Sequence, residues 1–244
     1  MTPRHRSPER PRFYFSFRSP YSWLAHHDLL LRHAAVARAL EWIPFWEPDE
    51  VSGRMLAEAG GSFAYTPMSR AKHLYILQDV RRLAAQRGLK VRWPVDLSPR
   101  WEVPHLAYIV AARHGQGRAF VGHLYRARWE QGRDVCDPPT ISDIAEECGL
   151  DADELAGASE DPEVRAEGVR ALLAVHRDGV FGVPFFVHRF DKYWGMERLE
   201  AFVLSLAGRG TPPSVDGCGR QGDHHEPEGG ARLGGDAGHA GGCG

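Results

Sequence analysis

Apolar and polar positions divide the chain into strand-like ends and a helical middle. Phe13-Tyr14-Phe15-Ser16-Phe17 is a run of strand-forming residues ended by Arg18-Ser19-Pro20. Apolar side chains then return at three-to-four spacing (Leu24, Leu29, Leu30, Ala34, Ala37), which predicts a helix over residues 21–38. Pro20 supplies the φ that suits a first helical residue, and Ser19 supplies an N-cap oxygen. Glu41-Trp42-Ile43-Pro44-Phe45-Trp46 reads as a second strand, and a strand, helix, strand unit with one crossover is expected to be parallel and right-handed.

From Glu50 to about Asp178 the patterns are helical, predicting an all-helical insertion. Its helices are expected at 55–59, 67–86 (stopped by Gly88), 104–114 (stopped by Gly115), 118–131, 141–148 (capped by Thr140) and 162–176 (ended by Gly179). Strand character resumes in Val183-Pro184-Phe185-Phe186-Val187-His188, with a turn near Phe190-Asp191, a short strand Lys192-Tyr193-Trp194 and a closing helix over 197–206. The segment 208–244 holds 13 of the 27 glycines and has no periodicity, so it is expected to be a disordered tail. There is no internal repeat.

At 244 residues, 43% hydrophobic and 25% charged, the composition is globular and excludes collagen, coiled coil and disorder throughout. Thirty basic against thirty-two acidic residues give a net charge of -2, which provides no field to recruit nucleic acid. No apolar run approaches the roughly 20 residues of a membrane helix, and MTPRHRSPERPR lacks the apolar stretch of a signal peptide, so a soluble, cytoplasmic protein is expected. Cys136, Cys148, Cys218 and Cys243 form no C-x-x-C pair, and the spacings of His224, His225, His239 and Cys243 match no metal motif. Neither a disulfide framework nor a metal site is indicated.

The candidate chemistry lies where the helix begins. Ser19-Pro20-Tyr21-Ser22 has the form of a C-P-Y-C redox motif with serine in both cysteine positions. A hydroxyl cannot form a disulfide, so intramolecular dithiol exchange is excluded. What remains is a helix N-terminus, which favours an anion, together with a hydroxyl donor. That pair suits the thiolate of an external cofactor. Holding it lowers its pKa and raises the reactive fraction at neutral pH, although a lower pKa also reduces intrinsic nucleophilicity. As an N-cap alone, Ser19 would contribute about 1 kcal/mol.

A strand, then S-P-Y-S opening a helix, then a distant G-V-P-F-F-V leading into a hairpin is the skeleton of the thioredoxin fold. The segment RFYFSFRSPYSWL (12–24) closely resembles the opening of the 2-hydroxychromene-2-carboxylate isomerases and kappa-class glutathione transferases, in the DsbA-like branch of that fold. GVFGVPFFVHRFDKYWGMERL (179–199) resembles their second signature, a cis-proline loop, a hairpin and a W-G-x-D-R-L turn. The resemblance covers residues 12–207 and is specific at the two ends. It implies an α/β, thioredoxin-like (DsbA-like) fold with a large all-helical insertion. Residues 12–49 and 179–207 would form the thioredoxin-like domain and 50–178 the insertion, flanked by a flexible 1–11 and the tail.

The resemblance further implies glutathione or another low-molecular-weight thiol as cofactor, with Ser19 touching sulfur. Val183 and a cis Pro184 would hold the cysteinyl backbone, and Gly195, Met196, Glu197 and Arg198 the γ-glutamyl end. Glu197 replaces the usual aspartate and reaches an ammonium group from a longer arm. Each feature also has a purely structural reading: a trans-proline opening a strand, or an acid favourably placed on a helix dipole. Tyr21, Trp101 and His105 are candidate substrate-binding residues, and Tyr65 and Tyr75 could line the same aromatic pocket. The isomerases' substrate lysine and asparagine have no counterpart, since Glu47-Pro48-Asp49-Glu50 and Asp96 to Glu102 stand in their places.

Two function classes therefore compete. One is a thiol-dependent isomerase or transferase acting on a small hydrophobic, aromatic or polyketide-like electrophile, with a homodimer as in the relatives. The other is a thioredoxin-fold binding or accessory protein without catalysis; a dithiol oxidoreductase is disfavoured by the serines. An open pocket between Ser19 and a cis Val183-Pro184 bond would favour the enzyme, and Trp23 filling that space the binding module.

Overall fold

The computed structural model describes residues 10–64 and 68–208. Residues 1–9, Tyr65, Pro67 and the segment beyond 208, with the expectations made for them, lie outside the described residues. A four-stranded sheet is built from the two ends of the chain: β1 (Arg12–Phe15), β2 (Glu41–Pro44), β3 (Phe185–His188) and β4 (Asp191–Trp194), in the order β2-β1-β3-β4. β1 pairs parallel with β2, Phe13 opposite Trp42, as a single-crossover unit requires. β1 pairs antiparallel with β3, Phe13 opposite Phe186, and β3 antiparallel with β4.

Strand alternation sends side chains to two buried faces. Phe13, Phe15, Trp42 and Phe186 form one cluster, where Phe13 stacks on Phe186 at 4.9 Å and meets Trp42 edge-on at 5.0 Å. Tyr14, Ile43, Phe185 and Val187 face the other way, with Val175 and Val180. A sheet covered on both sides explains why these strands read as nearly continuous apolar runs.

The crossover is α1 (Pro20–Arg32) and α2 (Ala34–Ala39), so the expected single helix is broken at His33, whose φ is -135°. The break lets His33 and Arg32 both reach Glu200. Among the described residues seven α-helices follow before β3: α3 (Glu50–Glu58), α4 (Arg70–Gln86), α5 (Glu102–Arg113), α6 (Gly117–Tyr125), α7 (Pro138–Glu147), α8 (Ala152–Gly157) and α9 (Pro162–Asp178). A 3-10 turn (Met196–Arg198) and α10 (Leu199–Leu206) close the fold. Thr140 is not the cap of α7. Asp137 is, its carboxylate accepting from the Thr140 amide at 3.3 Å, which starts the helix at Pro138. Similarly Asp49 caps α3 and starts it at Glu50, five residues before the apolar pattern begins. The expected helix 118–131 ends in a π-helical turn (Arg126–Glu130), and α8 had no sequence counterpart because it buries little beyond Leu155.

α9 crosses α5 closely at Gly168. A β-carbon built there would stand 2.5 Å from Leu106 Cδ2 and 3.2 Å from the Trp46 ring, so only glycine allows the approach. Gly157, by contrast, has nothing within 4 Å. Gly168→Ala is therefore expected to destabilise by about 1–2 kcal/mol, overpacking outweighing the gain in helix propensity, whereas Gly157→Ala should be neutral or stabilising by up to about 1 kcal/mol. Urea unfolding of the two variants checks this; equal effects would show that the α5–α9 contact adapts freely.

Candidate active site

The β1–β3 pairing brings the N-terminus of α1 against the loop before β3. The Val183-Pro184 peptide is cis, as the sequence resemblance implied. Ser19 has extended backbone (φ -90°, ψ 115°), and its hydroxyl oxygen accepts from the Ser22 amide at 3.2 Å, the N-cap geometry. The same hydroxyl donates to the Val183 carbonyl at 3.3 Å, across 164 residues of sequence. Ser22 is fully buried and its hydroxyl accepts from the Ser16 amide. Both serines are thus built into the junction. A ligand atom that took the Ser19 proton would release the Val183 carbonyl, an exchange of one hydrogen bond for another.

Two cavities flank this junction. The larger, about 540 Å³, is lined by Val183, Pro184, Trp194, Gly195, Met196 and Glu197 on the β3–β4 side. Asp28 and Arg32 of α1, Tyr75, Asp79, Leu83 and Arg87 at α4, and Leu199 and Glu200 of α10 complete it. The smaller, about 180 Å³, lies over the start of α1 and is walled by Ser19, Pro20, Met68, Ile76, Trp93 and Trp129, with Asp96 and Arg128 beside them. Tyr21 borders both, and its hydroxyl donates to Asp79 at 2.8 Å. Ser19 borders only the smaller, so the single pocket expected between Ser19, Val183 and Glu197 is divided into two chambers. Trp23 fills neither; it lies in the core, stacked on Trp129 at 6.2 Å.

The turn after β4 explains itself locally. Gly195 has φ 97°, its amide donates to the Pro184 carbonyl at 2.9 Å, and a β-carbon on it would stand 2.7 Å from Glu197 Oε1. The Glu197 carboxylate is therefore folded over Gly195 at the chamber edge. Arg198 is exposed and lines neither cavity.

Trp101 and His105 stand away from both chambers. Trp101 borders a void of about 10 Å³ near Ser16 and Trp46. His105 is wholly buried: it accepts from the Phe17 amide through Nε2 (3.2 Å) and donates from Nδ1 to the Trp101 carbonyl (2.7 Å), supporting the end of β1 from behind. Burial holds its pKa down at about 3, so it is neutral. The segments at the isomerase lysine and asparagine positions are also occupied structurally. Glu102 accepts from Trp46 Nε1 and the Asp49 amide, and Asp49 pairs with Arg165. Asp96 holds Arg128 through both its oxygens at 2.9 and 2.7 Å.

Arg128 is the main residue that the sequence pattern concealed. Only 2% exposed, it lies 4.9 Å from the ring centres of both Trp101 and Trp129. Its place in a continuous helical pattern hid it, because the π-helical turn there changes which face it presents. Asp28 and Arg87, paired through both oxygens at 2.9 and 2.6 Å, likewise tie α1 to the end of α4, and the sequence pattern singled out neither.

Residues 12–207 match the model of the DsbA-like thioredoxin domain. The chain belongs to this family. Within the DsbA-like family it is similar to 2-hydroxychromene-2-carboxylate isomerase of Sphingobium xenophagum, 30% identical over 77% of this chain and 93% of the isomerase. It is also similar to glutathione S-transferase kappa 1 of Homo sapiens, at 25% identity over 86% of this chain and 97% of the transferase. A solved structure of a 2-hydroxychromene-2-carboxylate isomerase superposes with a TM-score of 0.64 at 22% identity, covering 82% of this chain and 94% of that one, a likeness of fold. Both named relatives are enzymes. No described helix is long and apolar enough to cross a membrane.

The two most buried imidazoles set an acid limit on this scaffold. Burial lowers His105 to about 3 and His26, packed between Trp42 and Tyr125, to about 4, against an unfolded value of 6.5. The unfolded chain therefore binds more protons below pH 6.5. The stabilisation is complete above that pH and is lost as pH falls from about 6.5 towards 4, at up to about 1.4 kcal/mol per pH unit for each histidine. Urea midpoints measured across this range should fall steadily; a flat profile from pH 6.5 to 4.5 would contradict neutral, buried imidazoles.

Proposed function

We propose that this DsbA-like protein is a thiol-dependent isomerase or transferase that uses glutathione or another low-molecular-weight thiol on a small hydrophobic, aromatic electrophile. The observation that carries the reading is Ser19, 2% exposed, placed at the start of α1, hydrogen-bonded to the cis-prolyl loop and among the residues that line the smaller cavity. Kinship with an isomerase and a kappa-class glutathione transferase supports it. The thiol's backbone would lie along Val183 and Pro184 in the larger chamber, its sulfur reaching the Ser19 hydroxyl beside Tyr21. The aromatic walls Trp93 and Trp129 of the smaller chamber would take the electrophile. A reducing, cytoplasmic setting belongs to the proposal, since the cofactor must remain a thiol.

In the isomerase form the thiolate adds to the terminal carbon of a conjugated double bond, and the electron pair moves onto the substrate's carbonyl oxygen. Rotation about the new single bond follows, and the pair returns to expel the thiolate, so nothing is consumed. In the transferase form the new carbon–sulfur bond persists, a leaving group or added proton completing the balance. Ser19 and the positive end of α1 stabilise the sulfur anion in both. The binding-module reading is weakened by Trp23, which leaves the space beside Ser19 open.

Removal of the hydroxyl in Ser19→Ala takes away one charge-assisted hydrogen bond of roughly 1.5–3 kcal/mol and should raise the pKa of bound thiol by about one to two units. The helix dipole remains, so affinity should fall less than reactivity. Thiolate absorbance of bound glutathione against pH measures this, after calorimetry establishes binding, with Ser19→Thr expected to restore the wild-type value. Equal pKa values in wild type and Ser19→Ala, or no binding at millimolar thiol, would count against it.

A further inference from the structure

The charge of the larger chamber narrows the choice of thiol, on the assumption that the thiol site proposed above is correct. Its lining carries four carboxylates (Asp28, Asp79, Glu197, Glu200) against two guanidinium groups (Arg32, Arg87), an excess of two negative charges. Both arginines already have carboxylate partners. Arg87 gives Nε and Nη2 to both oxygens of Asp28 and Nη1 to the Leu83 carbonyl at 2.8 Å. Asp28 is nearly buried, so diverting Arg87 to a ligand carboxylate would strand an uncompensated anion. Arg32 lies 2.5 Å from Glu200, which His33 also contacts.

Of the lining acids, Glu197 has no guanidinium partner among the described residues. Glu197 is exposed and folded over Gly195 at the chamber edge, and Gly195 engages the Pro184 carbonyl. Asp79 takes the Tyr21 hydroxyl on one oxygen, while Arg82 on the exposed side of α4 meets the other at 3.1 Å. Arg82 lies outside the lining but offsets part of the Asp79 charge from the exposed side, whereas Arg198 is exposed and lines neither cavity. Glutathione brings two carboxylates and one ammonium group, and its thiolate form adds a further negative charge. Among the described residues the chamber can meet the ammonium with Glu197 but offers the ligand's carboxylates no unpaired cation.

We infer that the larger chamber selects a low-molecular-weight thiol with no net negative charge, an aminothiol or a neutral hydroxyl-rich thiol, over glutathione. The test leaves the protein intact and changes the ligand. Calorimetry at low and at physiological ionic strength compares glutathione with its C-terminal glycinamide analogue, which is isosteric but lacks one carboxylate. The glycinamide is expected to bind roughly 3- to 10-fold more tightly at low salt, with the gap narrowing as salt rises. Glu200→Gln, which frees Arg32 at an exposed position, should tighten glutathione more than the glycinamide. Glutathione binding as tightly as the glycinamide, or more tightly, overturns the inference and leaves the thiol site standing. Binding of neither removes both the inference and the reading beneath it.

Discussion

The antiparallel pairing of β1 with β3 is the contact on which the candidate site depends. It joins the two ends of the folded chain, stacks Phe13 on Phe186, and sets the start of α1 against the loop before β3. Only then does the Ser19 hydroxyl, already needed as an N-cap, find the Val183 carbonyl. His105 supports the same junction from the core, and Tyr125 donates to the Ser16 carbonyl at 3.1 Å. A serine in the place of a redox cysteine is thus fixed by one donated and one accepted hydrogen bond, and stands 2% exposed in the wall of the smaller chamber.

The helical insertion walls the site on one side, supplying Tyr75, Asp79, Leu83 and Arg87 to the larger chamber. α4 contributes Asp79 to the Tyr21 hydroxyl and lies beside Arg87, the partner of Asp28, so it is fastened to α1 at two points on either side of the larger chamber. The π-helical turn after α6 presents Arg128 and Trp129 to the smaller one. The thioredoxin core thereby supplies the helix N-terminus, and the insertion supplies part of the wall of both chambers beside it. That division fits a family whose members share the core and differ in chemistry.

Much of the fold was legible in the sequence. The strands announced themselves through aromatic and β-branched runs, and Ser19-Pro20 and Gly179 marked helix ends by mechanisms that require no tertiary context. Errors arose where a cap lay outside the apolar pattern, as at Asp49 and Asp137, or where a helix changed its winding, as at Arg126 to Glu130. The site was half legible. Ser19 lines the smaller chamber, Val183, Pro184 and Glu197, which the resemblance implied, line the larger, and Tyr21 borders both. Trp101 and His105 went to the core, because an aromatic residue in a helical pattern carries no sign of which face will meet a cavity. Arg128, Asp28 and Arg87 escaped notice because a buried ion pair is defined by its partner, which sequence spacing does not reveal.

The central claim is that Ser19 meets the sulfur of an external thiol at the seam of the two chambers. A crystal structure of the full chain with bound thiol, the sulfur located by its anomalous scattering, tests this most directly. The account predicts sulfur within hydrogen-bonding reach of Ser19 Oγ and beside Val183, with the hydroxyl turned from the Val183 carbonyl towards it. Sulfur elsewhere in the larger chamber, with the Ser19–Val183 hydrogen bond intact, would contradict it.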